Sequence, residues 1–513
     1  MFRSSFLLLL AAWSAGVARA QCPVEGGERL APPRFRHGDV FGYSLALDRD
    51  QALVGASPVA APPAKGAVFY LQHRGGRWLR TDVLAPGAPV VGQVFGHALA
   101  LSGGWAAISS NTSRGEPFIS YSTQVHVFRR GLGRWHEVQT LQRDAPETLE
   151  RFGDALALDG DVLAIGDPGA DSLRPDLGSV HVYRYDGRSW MREAVLLSPA
   201  SRGGFGRAVA VDGERILVGE SARAHVFRHD GVGWALEATL AGHDAVPGEG
   251  FGDALALEGD AAIVGAQWHL HGRRDEGAAF LFRRTDSGWQ EEAELLPDHS
   301  SIGVAFGHRV ALAAERALVS ADGDDERDPG GGAAYLYRRS TAGWALEEKL
   351  FPLGPAQSFG TLVALDETSA LVTCLPDHPS GALHAFDLCL PARATPRNLA
   401  PNPDVLSCEL PVLGARFRTT VDCTATGHAG AFLFALDTPD ARVLGRMGVL
   451  LARDGGRGEL LGAPLLPGPL ATHESRIPAL TSLLGFRCVL QALLVGDQPP
   501  ALTNAQDLVL GEY

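Results

Sequence analysis

Three features of the 513-residue sequence predict an all-β protein, a seven-bladed β-propeller followed by a small C-terminal β-sandwich-like domain. A Phe-Gly pair recurs seven times, each recurrence opens a unit of four short strand-like runs, and an orphan run precedes the first unit where the last unit is one run short. Four antiparallel strands in a repeat of about 50 residues suit a propeller blade, which buries both faces against its neighbours.

The pairs begin at Phe41, Phe95, Phe152, Phe205, Phe251, Phe306 and Phe359, with spacings of 54, 57, 53, 46, 55 and 53 residues. Each opens a similar stretch, as in FGDALALDGDVLAIGDP from Phe152 and FGDALALEGDAAIVGAQ from Phe251. Within it Leu45 and Leu47, or Leu163 and Ile165, alternate with other residues about a short polar turn such as Asp159-Gly160-Asp161, the pattern of a hairpin. A third run follows a glycine, at Gly66, Gly178 and Gly277, and is rich in Val, Phe and Tyr. A fourth starts at a tryptophan: Trp78, Trp135, Trp190, Trp234, Trp289 or Trp344.

Ring closure follows from register. Leu84, Leu141, Leu240 and Leu295 each stand 11 residues before the next Phe-Gly, and so does Leu30. GERLAPP from Gly27 is therefore expected to supply the fourth strand of the seventh unit, which has no tryptophan run after Cys389.

Residues 1–20 read as a signal peptide, with an apolar stretch from Phe6 to Trp13 and a small-x-small close at Ala18-Arg19-Ala20. The stretch is too short to anchor a chain in a bilayer, and no later segment is long and apolar enough. The expectation is a secreted, extracellular, soluble monomer. Its formal charge of -14 becomes -16 once Arg3 and Arg19 leave, which argues against nucleic acid and anionic membranes as partners. Of 45 basic residues only Lys65 and Lys349 are lysine, which reads as compositional bias.

The strings VGAS, IGDP, VGES, VGAQ and VSAD after the Phe-Gly pairs resemble FG-GAP repeats, the units of integrin α-subunit propellers and of many secreted bacterial proteins. The resemblance covers roughly residues 27 to 390, within a propeller domain taken as 21–390. It implies a binding or adhesion module whose partner is an extracellular protein or polysaccharide, met by loops that include 110–124, 167–177, 266–276 and 321–332. A secreted hydrolase with a site in the channel, and a lectin-like propeller that binds glycans through its tryptophans, are the alternatives. No G-x-S-x-G, H-E-x-x-H, phosphate loop or zinc-type cysteine pair occurs, so no catalysis is expected.

Integrin propellers often expand the first turn of the repeat into a calcium loop. Here that turn reads LDGDV, LEGDA, VDGER or LDRDQ, too few oxygens for calcium's six to eight. No cofactor is expected, with calcium at one acidic loop as the exception to test. That loop carries Asp322, Asp324, Asp325 and Asp328, which read either as metal ligands or as a solvated turn. His269 and His271 have the spacing of metal ligands but no evident third partner.

Residues 391–404, rich in proline and turn residues, read as a linker to a β domain over 405–513. ARFRTTVDCTA, AGAFLFALD, RMGVLLARD and FRCVLQALLVG read as its strands, and the last forty or so residues resemble a C-terminal β domain of secreted bacterial repeat proteins.

Aligning Gly66 with Gly381 and Leu84 with Leu30 places Cys389 and Cys22 where Arg74 and Gly76 flank a turn in the first unit. In the oxidising setting that export implies, a Cys22–Cys389 disulfide is expected to replace that turn, with Cys408–Cys423 as a second pair and Cys374 and Cys488 unassigned. A loop spanning nearly the whole propeller gives roughly 5 kcal/mol in chain-entropy treatments. Non-reducing peptide mapping should recover the Cys22–Cys389 bridge; a free Cys22, or one bridged to Cys408, Cys423 or Cys488, contradicts this closure.

Overall fold

The computed structural model describes Glu25–Leu388 except for 31–38, 59–65, 75, 88–92, 115–118, 132, 144–150, 170–176, 200–202, 272–273, 299–302, 355 and 375–380, and beyond that the strands between 393 and 509 by their backbone. Alternation builds each blade in the same way. In the third, Ala155–Asp159 pairs with Val162–Asp167 across the Gly160-Asp161 turn, with Leu156 opposite Ile165 and Leu158 opposite Leu163. Ser179–Tyr185 and then Trp190–Leu197 complete the antiparallel sheet. A bulge interrupts the pairing of third and fourth strands at the same place in six blades, at Leu71, Phe128, Tyr183, Phe227, Phe282 and Tyr337. Such bulges increase local twist, as radially packed blades require.

Seven four-stranded sheets result, and in six of them the strands follow chain order. The seventh takes Val363–Leu365, Ser369–Cys374 and Ala382–Asp387 from the end of the propeller and Glu25–Leu30 from its beginning. Leu30 stands opposite Leu383, as Leu84 stands opposite Val68 in the first blade, so the closing strand sits in the register read from the sequence. The propeller is one compact unit, residues 24–388.

Apolar clusters lie between successive blades. Ile263 and Leu281 of the fifth pack with Phe306, Val319 and Tyr335 of the sixth, and Phe41 and Val54 of the first pack with Leu371 and Leu383 of the seventh. All seven Phe-Gly phenylalanines are at most 4% exposed. The glycine after each has positive φ, and Gly42, Gly96, Gly206, Gly252, Gly307 and Gly360 lie against the preceding blade. A Cβ on Gly265, the GAP glycine of blade five, would stand 2.0 Å from the carbonyl oxygen of Gly307, and one on Gly307 would stand 2.1 Å from that of Ala278. Where serine or threonine replaces the GAP glycine, its hydroxyl accepts a backbone N–H: Ser109 from Ala98, Ser320 from Arg309, Thr373 from Leu362.

The C-terminal unit is described by pairing alone. Arg393–Arg397, inside the stretch expected as linker, pairs with Ala501–Val509 at the edge of a six-stranded sheet, where Pro396 is tolerated. The sheet continues through Arg487–Val495 and Gly430–Leu436 to two short strands, and Leu406–Cys408, Arg416–Asp422 and Leu470–Arg476 form a separate three-stranded sheet. The signal peptide, Cys22, Cys389 and Cys423 lie outside the described residues, and both expected disulfides with them. Cys374 is a free, buried thiol.

Two alanine substitutions separate backbone conformation from close approach. Gly160→Ala places a Cβ in open space at φ 55°, so only the left-handed backbone is penalised, by about 1 kcal/mol. Gly265→Ala forces two blades apart and is expected to lose more than about 3 kcal/mol in urea unfolding. Equal losses would contradict the inter-blade contact.

Candidate functional site

In each antiparallel blade, the loops that leave strand two and strand four emerge at one end, and the hairpin turns at the other. The turns are short: two residues separate Ala254–Glu258 from Ala261–Ala266 and Phe306–Ala313 from Arg316–Ala321. They are also cross-linked. The turn amides of Gly103, Gly160, Gly213 and Gly259 donate to Asp48, Ser102, Asp159 and Asp212 of the preceding blade at 2.5, 3.1, 2.9 and 2.7 Å. The acidic residue that looks like the remnant of a calcium loop is thus a joint between blades.

Arginine performs the same task on the outer strands. Glu237 of blade four accepts from Arg215 of its own blade at 2.9 Å and from Arg284 of the next at 3.1 Å. Glu292 accepts from Arg283 at 3.1 Å and, across the boundary, from Arg339 at 2.7 Å and the Trp344 indole at 3.2 Å. Burial would raise the Glu292 carboxyl, yet the indole and the guanidiniums hold it below its ordinary value. Trp78, Trp135 and Trp190 are buried, and Trp234 donates to Glu193 of the preceding blade at 2.8 Å. These tryptophans pack and tie blades; they are not a set of open sugar platforms.

One position near the loop end of strand three carries a ring in every blade: Phe69, His126, His181, His225, Phe280, Tyr335 and His384. Each ring lies 5.1 to 6.0 Å from its blade's Phe-Gly phenylalanine. In the sequence this position is part of an apolar strand, and His in place of Val or Phe within otherwise matching runs is the signal that marks it. The polar rings are buried and each described one has a hydrogen-bonding partner. His225 reaches Glu220 at 2.8 Å and Thr239 at 3.0 Å, and His126 reaches Glu137 at 2.7 Å and Ser110 at 2.9 Å. His384 Nδ1 accepts from the Leu353 amide at 3.1 Å, which leaves Nε2–H facing the Cys374 sulfur at 3.6 Å.

The acidic loop is fully described. Asp324 is buried; its carboxylate accepts from the Tyr335 hydroxyl at 2.7 Å and the Glu326 amide at 3.0 Å, and lies 2.9 Å from the Lys349 ammonium. Asp322 meets His308 at 3.2 Å, while Asp325 and Asp328 are exposed. Lysine therefore supplies at Asp324 the positive charge expected of calcium, and the four aspartates are not gathered about one point among the described residues. Burial pushes the Tyr335 hydroxyl far up, so it remains a donor.

His269 is 1% exposed, with Nδ1 2.9 Å from Glu249, whereas His271 is placed only by its backbone, in a two-residue strand paired with Arg274–Asp275. Beside His269 stand His243, Asp244 and Glu294, the one group among the described residues with metal-holding spacing. They come from the loop before the fifth Phe-Gly and from the fourth strand, out of reach of a local motif.

The repeat, the glycine joints and the seven-blade closure together define a seven-bladed β-propeller, consistent with a propeller of FG-GAP repeats. The family model described as FG-GAP repeat matches residues 234–282 and 289–337, two units of the series. No curated protein matches the chain. Among solved structures, the crystal structure of Sqt1 from Chaetomium thermophilum is similar at 13% identity and TM-score 0.38, covering 69% of this chain and 97% of that one.

Burial and the charge of Arg29 push His384 down to about 4, against about 6.5 unfolded, so folding keeps this ring neutral. Its contribution is complete above pH 6.5 and is lost as pH falls towards 4, with a limiting slope of about 1.4 kcal/mol per pH unit. Replacing it by phenylalanine, the residue of blades one and five, should flatten acid unfolding over that window relative to the parent. The comparison cancels Asp366, raised to about 6 by burial and acting in the opposite direction. Identical acid slopes in parent and H384F would contradict the assignment.

Proposed function

We propose that this chain is a secreted, monomeric binding or adhesion module that engages an extracellular protein or polysaccharide with the loop end of its propeller and performs no catalysis. The observation that carries the reading is the exposure of Trp268 (48%), Leu270 (51%) and Val246 (49%) on the fifth blade's loops at that end. Apolar side chains held in water beside a fixed scaffold suit a contact centre, where tryptophan often dominates binding. Length asymmetry supports it: the hairpin turns at the opposite end are all short, from two residues at Gly259-Asp260 to four between His229 and Trp234, while this end varies from a two-residue connection at Ser221-Ala222 to the stretch 322–332. The negative charge of the chain favours a cationic or neutral partner.

Protein and glycan arrays probed with the full chain should identify a ligand. Trp268→Ala should weaken its binding by tenfold or more, equivalent to about 1.4 kcal/mol, without changing the melting temperature. Full affinity in that variant would move the site elsewhere. Turnover in a hydrolase panel, abolished by changing a channel residue, would overturn the non-catalytic reading.

A further inference from the structure

We propose that blade five carries a site for a divalent transition-metal ion of the zinc class, formed by His243, Asp244, His269 and Glu294. His269 Nε2 lies 3.6 Å from Asp244 Oδ2 and 3.5 Å from Glu294 Oε1. His243 Nε2 lies 3.7 Å from the same Asp244 oxygen, and ligand atoms of His243, Asp244 and Glu294 fall within 4.8 Å of one another. Zinc–nitrogen and zinc–oxygen bonds of about 2.0–2.1 Å place tetrahedral ligands about 3.4 Å apart. The separations of His269 from Asp244 and Glu294 and of His243 from Asp244 are close to that edge length.

The orientation of the imidazoles supplies an independent argument. His269 gives Nδ1 to Glu249 at 2.9 Å, and His243 gives Nδ1 to Glu291 at 2.8 Å. Glu249 is itself held by the Val246 amide at 3.0 Å, and Glu291 accepts the His243 amide at 2.8 Å. Carboxylates behind both rings fix the tautomer with the proton on Nδ1, the arrangement that orients histidine towards a metal and raises its basicity. In that tautomer His269 Nε2 is a lone pair aimed at two carboxylate oxygens. Both His269 Nε2 and Glu294 Oε1 are buried and without a hydrogen-bond partner. Three acceptors pointed at one volume require a cation there.

A divalent ion would balance the two ligand carboxylates, and two imidazoles favour zinc-class metals over calcium or magnesium. His243 and Asp244 are exposed, so the ion has an entry path. Both imidazoles pack edge-on against Phe280, at 6.2 and 5.4 Å. Phe280 occupies the strand-three position that is histidine in four other blades, and the imidazole chemistry of blade five comes instead from its loops.

The test uses the purified full chain, stripped with chelator and titrated with zinc alone, calcium alone, and cobalt as a spectroscopic probe. One equivalent of zinc should bind and raise the melting temperature, millimolar calcium should not displace it, and cobalt should give the intense visible bands of tetrahedral coordination. His269→Gln should abolish binding. Asp244→Asn, at an exposed position that leaves the fold intact, should weaken it at least tenfold with unchanged melting in chelator. No stoichiometric zinc binding, or unchanged binding in both variants, would overturn the proposal. So would His269 titrating as an imidazolium with no response to metal, since a proton would then be the missing cation.

Discussion

Backbone against backbone, with no side chain between, is the contact on which this propeller depends. The GAP glycine of one blade meets the carbonyl of the Phe-Gly glycine in the next: a Cβ on Gly166, Gly219 or Gly265 would stand 2.0, 1.9 and 2.0 Å from the oxygens of Gly206, Gly252 and Gly307. Such proximity leaves no room for a Cβ at these positions and explains why glycine follows every Phe-Gly phenylalanine and recurs at the GAP position of four units, whereas Ser109, Ser320 and Thr373 take that place in the other three. It also sets the distance at which adjacent apolar faces mesh, with each Phe-Gly phenylalanine buried just beside the joint. Polar joints then lock the same boundary on either side, through turn amides towards one end and through Arg284, Arg339 and Trp344 along the outer strands.

Much of this was legible in the sequence because a repeat states its own geometry seven times. Leu30, 11 residues before Phe41, was enough to place Glu25–Leu30 against Ala382–Asp387 in the correct register. What could not be read were contacts between blades that use residues of low information. Asp159 looks like a turn former, and only the neighbouring blade reveals that it receives the Gly213 amide. Arginine looked like composition and is the tie of the outer strands. Asp324 reads in the sequence either as a metal ligand or as part of a solvated turn, and the Lys349 ammonium 2.9 Å from its carboxylate comes from 25 positions away. Pro396 looked like linker because proline marks loops more often than the edge of a sheet.

The site residues follow the same division. His269 is visible as a histidine in a loop, but His243, Asp244 and Glu294 are brought to it by two other segments, the loop before the fifth Phe-Gly and the fourth strand. A closed, repetitive scaffold permits this. Blades one and five hold a plain phenylalanine at the strand-three ring position, and blade five alone adds histidines and carboxylates from its loops and fourth strand beside that ring, without disturbing the glycine joints beneath.

Closure of the ring has a consequence for assembly. The strands that meet in the seventh sheet are separated by some 350 residues of chain. Contacts of such separation are entropically late in folding. Until Ala382–Asp387 is in place, Glu25–Leu30 has no partner, and six finished blades leave an apolar blade face uncovered at each end. Unpaired strand edges are sites where another chain can add. Before the ring closes, Glu25–Leu30 of one copy can pair with Ala382–Asp387 of another as well as with its own, and closure within one chain removes that choice.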